Sequence, residues 1–237
     1  MLVSGLAIFN MSLQTLSSDD DSLLIKQSLA AKLREQIIAG QLMPGQRIIE
    51  GFWARKFGVA QTSVREAINL LINEGFATKA SGRSARVTFY SEGDIAQIYE
   101  LRAALEGLAA RLTTQRQPNL GPLETALREL RKATKGRDVR KLIEADLNFH
   151  LCLCELSGNR FLYTQMRTLL VPLFAFVAMR VVQSHQTAQA WETDLERHKR
   201  IIELIREGDG LAAEFAVRGA MQQFAQRAYE IWQRKTE

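Results

Sequence analysis

Residues 29–87 read LAAKLREQIIAGQLMPGQRIIEGFWARKFGVAQTSVREAINLLINEGFATKASGRSARV. Three short amphipathic patterns lie here, separated by Gly40, Pro44-Gly45, Gly58 and Gly75, residues that stop helices or turn the chain. The spacing predicts a helix over 22–39 with Leu29, Leu33 and Ile37 on its buried stripe, and a second over 50–57 that buries Trp53 and Phe57. A third is expected over 63–74, opened by a capping-box pattern in which Ser63 is followed three residues on by Glu66. On that helix Val64, Ile68, Leu71 and Ile72 form the apolar stripe, while Thr62, Arg65 and Asn69 share the opposite face. Residues 76–79 and 86–89 then predict two short strands around Ser81-Gly82, a hairpin of the kind that makes a wing. A winged helix-turn-helix follows from this order. A helix that hides one side and offers polar and cationic groups on the other fits the major groove of duplex DNA.

The rest of the chain bounds the reading. Its 237 residues, 46% hydrophobic, can fill a core in each of two domains. The net charge of +5 is unevenly spread: residues 22–90 hold ten Lys/Arg against four Asp/Glu, and the remainder beyond is nearly balanced. That surplus suits a phosphate backbone, the alternative being simple solvation of a small domain. Residues 1–21 read as a flexible tail whose apolar start lacks a positive leader and runs into Asp19, Asp20 and Asp21, a poor fit to a secretory signal; Met11 offers a second start. The longest apolar run, 168–179, is bounded by Arg167 and Arg180 and contains Pro172. Crossing a bilayer takes roughly 20 apolar residues, so a core helix and no membrane partner are expected. Cys152 and Cys154, two apart in a helical pattern, point in different directions and suit neither one metal nor one disulfide. Buried thiols in a reducing compartment, the cytoplasm, are the expectation.

From residue 91 onward strand alternation disappears. Helical patterns follow one another over 94–115, 120–135, 139–156, 161–182, 187–207 and 210–232, broken by Gly136, Gly158 and Gly208. The fold class is therefore mainly α, a winged helix-turn-helix over 22–90 followed by an antiparallel bundle of about six helices over 91–237. Asp146 and His150, four apart in ADLNFH, project from one helix face and could share a divalent cation, with His198 as a third ligand if the bundle brings the faces together. A surface pair or a satisfied core histidine uses the same spacing. His185, near a helix end, is expected to be solvent-exposed. Arg102 and Glu106 also share a face, with Leu101, Leu105 and Leu108 on the apolar side; either Arg102 clamps a ligand carboxylate or the two form an intrahelical ion pair.

Taken in order, IIAGQLMPGQRI, GVAQTSVREAINLLINEGF, the Arg102–Glu106 helix, DLNFH, the SGN at residues 157–159 and ERHKRIIELIREGD resemble transcriptional regulators of the GntR type, in the FadR/FCD branch with an all-helical effector domain. The resemblance implies a homodimer on a pseudo-palindromic double-stranded operator, base and backbone contacts from Gln61, Thr62, Arg65 and Asn69, and a wing contact at Gly82 and Arg83. It further implies a small carboxylate effector met by Arg102 and Asn159, and a divalent metal, Zn or Ni, on Asp146, His150 and His198. The branch's last histidine ligand falls here at Ala220, which cannot ligate, leaving a three-ligand or a vacated site. Arg is common in relatives at the positions of Gly51 and Gln61, so the operator is not copied from them, and Gln61 would favour adenine. The expected function is a ligand-responsive repressor and not an enzyme. Two other classes compete: a regulator whose bundle only dimerises, and a metal-dependent hydrolase, against which stands the lack of a nucleophile and base pairing.

Overall fold

The computed structural model describes residues 18–136, 138–184 and 189–233. The expected tail through residue 17 and the expected exposure of His185 lie outside the described residues. The chain divides into two compact units, Met1–Phe89 and Tyr90–Glu237.

In the first unit, α1 (Ser18–Ile38), α2 (Glu50–Phe57) and α3 (Gln61–Asn73) pack with α3 at the centre, against both α1 and α2. Leu29, Leu33 and Ile37 of α1 meet Val64, Ile68 and Leu71 of α3 in one apolar core. α1 begins four residues before the expected boundary. Arg34 ties α1 to the end of α3 by donating to both carboxylate oxygens of Glu74, at 2.8 and 2.6 Å from Nη2. α2 ends at Gly58, whose φ of 66° is the left-handed conformation that lets Val59 N–H reach back to the Ala54 carbonyl. The capping box expected at Ser63 and Glu66 does not form. α3 starts earlier, at Gln61, with Ala60 at the cap and no side-chain bond, so Ser63 falls inside the first turn and its N–H bonds the Ala60 carbonyl. The wing is an antiparallel pair, β1 (Ala77–Thr78) and β2 (Arg86–Val87), in register Ala77↔Val87 and Thr78↔Arg86. It is shorter than expected, and β2 also pairs on its other edge with the segment ahead of α2: Ile48 N–H donates to Ala85 O, and Val87 N–H to Gln46 O. That third segment anchors the wing base beside the start of α2.

The second unit contains α4 (Glu92–Arg116), α5 (Gly121–Gly136), α6 (Val139–Leu156), α7 (Arg160–Ser184), α8 (Gln189–Glu207) and α9 (Gly210–Gln233). A Ser91–Asp94 capping box opens α4, and Asp138 caps α6 by accepting from Lys141 N–H. The α4–α9 pair is the most extensive packing, with α6 between α5 and α7 and α8 against α9. The two run antiparallel: Gly107 faces Glu214 and Arg218, while Gly210 faces Arg111 and Thr114. A Cβ at 107 would lie 3.2 to 3.4 Å from the Glu214 and Arg218 side chains, tight enough that these would have to shift slightly. α7, with Pro172 inside it, is apolar and long enough by length alone to cross a bilayer. Here Leu162, Met166, Leu170, Leu173 and Phe174 are instead buried within the unit as a core helix.

One expectation is reversed. Leu101, Leu105 and Leu108 do not form the inward face of α4; Leu101 is 48% exposed, and the buried face carries Arg102, Glu106, Ala109 and Ala110. The charged pair turns inward because it finds partners there, which leaves Leu101 exposed and Leu105 and Leu108 half-buried.

Leu71, with 0% exposure between α3 and its neighbours, is a test of the first core. Leu71→Ala should destabilise this unit by about 2 to 5 kcal/mol. Urea unfolding followed by fluorescence of the buried Trp53 reads it, and a cost under about 1 kcal/mol contradicts the packing described.

Candidate functional site

In the second unit, α6 sets Asp146 and His150 one turn apart, and α8 brings His198 to the same point. Asp146 Oδ1 lies 3.0 Å from His198 Nε2 and 3.5 Å from His150 Nε2. The three ligand atoms all fall within 4.8 Å of one another. Neighbouring ligand atoms on a tetrahedral ion with bonds of about 2.0 to 2.1 Å sit about 3.3 Å apart, so the spacing suits one divalent cation.

What lies behind each imidazole decides its tautomer. His198 Nδ1 is 2.6 Å from the Asp194 backbone carbonyl, an oxygen that only accepts, so Nδ1 carries the proton and Nε2 keeps its lone pair. His150 Nδ1 is 2.5 Å from Glu106 Oε2, an imidazole–carboxylate contact that is close but not aligned as a hydrogen bond. These two contacts are the outer supports that metal-ligating histidines use. Both Nε2 atoms are buried and lack a well-formed hydrogen bond within the described residues, although Asp146 is close. His150 Nδ1 and Glu106 Oε2 share this lack of alignment, so it is the mutual spacing of the three ligand atoms that fits a common centre.

Charge counting gives the same answer. Arg102 is 1% exposed and donates from Nε to Glu106 Oε1 at 2.7 Å, while its guanidinium lies over the Tyr99 and Phe174 rings. That one cation stands against two carboxylates, Glu106 and Asp146, so the cluster needs at least one further positive charge. Burial pushes both carboxylates up, yet Arg102 and His150 hold Glu106 down to about 2, and His150 and His198 hold Asp146 well below the usual range. Burial pulls His150 down, but Glu106 and then Asp146 outweigh it and raise it to about 9. The centre is thus built for a cation, whether a proton on His150 or a divalent ion.

Ala220 of α9 lines the same cavity as Glu106, His150, Arg197, His198 and Phe224. The cavity is narrow, with no point wide enough to seat a water molecule. Arg102 is not among its lining residues. Its Nη2 is nonetheless buried and without a hydrogen-bond partner, so both sequence readings of this arginine have a counterpart: Nε serves the ion pair and Nη2 is uncommitted. Asn159, expected to contact an effector, lies elsewhere and caps α7, accepting from Phe161 and Leu162 N–H at 3.2 and 3.1 Å. Its carbonyl is taken up by those orphan helix donors. Cys152 and Cys154 are free thiols, each pushed up by burial.

In the first unit, Gln61, Thr62, Arg65 and Asn69 are exposed on one face of α3, and Gly82 and Arg83 are exposed at the wing tip. Gly82 has a φ of 67°, the left-handed region that its turn requires. Glu50, which sequence reasoning missed, binds two of these residues at once. Arg65 donates to Glu50 Oε2 from Nη2 at 2.9 Å and from Nε at 3.1 Å, and Gln61 Nε2 donates to the same oxygen at 3.1 Å. The Arg65 hydrogen bond holds the Glu50 carboxyl below its ordinary value. Glu106 was paired with Arg102 by its spacing, but no local signal placed it behind His150.

With both sites described, comparison with known proteins is direct. Residues 25–87 match the gntR family of bacterial regulatory proteins, and residues 97–223 match the FCD domain. An uncharacterized HTH-type transcriptional regulator of Bacillus subtilis, YdhC, is 30% identical over 77% of this chain and 81% of its own length. The HTH-type transcriptional repressor NanR of Cronobacter sakazakii is 25% identical over 89% of this chain and 84% of its own. The solved structure of Escherichia coli McbR/YncC superposes with a TM-score of 0.70 at 21% identity, covering 91% of this chain and 99% of that one, a likeness of fold. The protein is a member of the GntR family of DNA-binding transcriptional regulators, with an FCD domain behind its winged helix.

Proposed function

We propose that this regulator is a ligand-responsive repressor of the cytoplasm, whose FCD domain takes a small organic acid at the Asp146–His150–His198 cluster and thereby alters operator affinity. The observation that carries this reading is the convergence of two buried imidazole Nε2 atoms and one carboxylate on a single point, with Glu106 and the Asp194 carbonyl against the far nitrogens of the rings. Asp146, His150 and His198 would hold Zn or Ni, and such an ion supplies a Lewis-acidic anchor for a ligand carboxylate. Glu106 and the Asp194 carbonyl face the two Nδ1 atoms and so aim both Nε2 atoms at the common point, where an ion takes the place of the His150 proton. Arg102 offers its unpartnered Nη2 as a second contact for the acid.

The cavity is too tight for such an acid as it stands, so binding must move helices. That requirement is what couples ligand to DNA: an acid that binds a widened bundle better than a closed one shifts the population between them. A coupling of about 1 to 3 kcal/mol is enough for a useful response. We further propose a homodimer on a pseudo-palindromic operator, in keeping with the exposed Leu101, Leu211 and Phe215 of α4 and α9. A second reading, a bundle that dimerises and senses nothing, is favoured by Ala220 and the narrow cavity. Calorimetric titration with a panel of small carboxylates, with and without a chelator, beside duplex binding by anisotropy, separates the two. Chelator-sensitive heat that accompanies altered DNA affinity supports sensing, and no heat with any acid contradicts it.

Four outcomes are expected. His150→Ala should lose bound metal by elemental analysis, whereas equal metal in variant and parent contradicts the assignment. Because His150 is held near 9 by its carboxylate neighbours, uptake at neutral pH displaces its proton. Metal affinity should therefore climb up to about tenfold per pH unit from 7 toward 9 and fall as pH drops. A flat profile argues against His150 as ligand. Arg102→Lys, which keeps a charge for Glu106 but loses the planar fork, should weaken carboxylate binding and spare the metal. Identical acid affinity leaves Arg102 with the ion pair alone. Arg65→Ala should cost about 1 to 3 kcal/mol on the specific site and relax discrimination at one base pair. Unchanged preference across a site library refutes its role.

A further inference from the structure

We infer that Glu50 is the positioning residue that sets base preference on the DNA-reading face, one carboxylate fixing the orientation of both Arg65 and Gln61. Glu50 opens α2 and is itself only partly exposed, at 21% of its side chain, while Arg65 on α3 is 52% exposed. The carboxylate is thus an anchored support and the guanidinium the free arm.

The hydrogen-bond pattern determines what each arm can still do. A guanidinium has two edges able to bond in parallel: a side edge of Nε and Nη2, and an end edge of Nη1 and Nη2. Glu50 takes the side edge of Arg65, with contacts of 3.1 and 2.9 Å. The end edge, without another partner among the described residues, is the fork that matches guanine O6 and N7. Gln61 is treated in a corresponding way. Glu50 only accepts, so the Gln61 atom 3.1 Å away must be the amide nitrogen, which fixes the carbonyl on the other side. Gln61 then presents one remaining N–H beside its carbonyl oxygen, the donor–acceptor pair that fits adenine N7 and N6. The head reads one guanine and one adenine, and its two arms share an oxygen. Losing that shared acceptor frees the rotamers of both arms, so selectivity falls even though neither DNA-facing group has been removed.

A carboxylate close to a duplex also repels phosphate, and this makes the idea separable from plain electrostatics. If repulsion were its only effect, removing it would tighten binding to every sequence equally. If positioning is its effect, removal leaves scrambled duplex bound as well or better and flattens preference at two base positions.

The test is selection of full-length protein on a randomised duplex library, comparing the parent, Glu50→Ala, and Glu50→Ala on an Arg65→Ala/Gln61→Ala background, with circular dichroism to show that each is folded. The parent should enrich a motif with a guanine and an adenine. Glu50→Ala should reduce preference at those two positions on the order of tenfold each. In the double-substituted background it should change base preference no further. Glu50→Ala that keeps the parental motif, or that flattens unrelated positions, overturns the inference and leaves DNA binding itself intact. A parent protein that enriches no motif overturns both.

Discussion

Two carboxylates on neighbouring helices, Glu106 fully buried and Asp146 half-buried, govern the second unit. An ionised group removed from water costs several kcal/mol unless oppositely charged or hydrogen-bonded groups meet it. Here the compensation is spread over three helices: Arg102 from α4, His150 from α6 and His198 from α8. The helices are held in register because each carboxylate, besides a partner on its own helix, meets a histidine of another: Glu106 meets His150 of α6, and Asp146 meets His198 of α8. This also explains why α4 turns its charged face inward and leaves Leu101 exposed, against ordinary amphipathic expectation. A cluster that needs added positive charge is also sensitive to whatever supplies it. In the proposed function, structure and sensing therefore rest on the same electrostatic balance.

The first unit applies a similar device at its surface. Glu50 is an acidic residue among basic ones, and it stands at the junction of the wing base and α2. There it orders two long side chains that would otherwise sample many rotamers. In water such an ion pair adds little stability. Its value lies in what it presents. Phosphate contacts by Lys and Arg position a protein on duplex, but sequence is read only by groups held in defined geometry against base edges.

Much of this was legible in the sequence, and the parts that were not have a common physical cause. Helix order, the wing, the α6 boundaries and the Asp146–His150 pair all follow from short-range spacing. His198 joined them only as a conditional expectation, because spacing within one helix says nothing of which helices meet. The same limit hid Glu106 behind His150 and Glu50 behind Arg65, since each contact links separate elements. Asn159 shows a different limit: the resemblance assigns it to a ligand, and spacing alone did not reveal that its carbonyl also caps the start of α7. At Ser63 a good capping pattern lost to packing, which began α3 two residues earlier. The inward face of α4 could not be read from polarity, because burial of Arg102 is favourable only once its partners are in place.

The most direct test of the central claim is anomalous X-ray scattering from crystals grown with zinc or nickel, recorded at the metal's absorption edge. The account predicts one peak in each FCD domain, within bonding distance of Asp146 Oδ1, His150 Nε2 and His198 Nε2, with Glu106 on the far side of the His150 ring. No peak there, or an ion bound away from these atoms with Asp146 and His150 left as a simple ion pair, would contradict it.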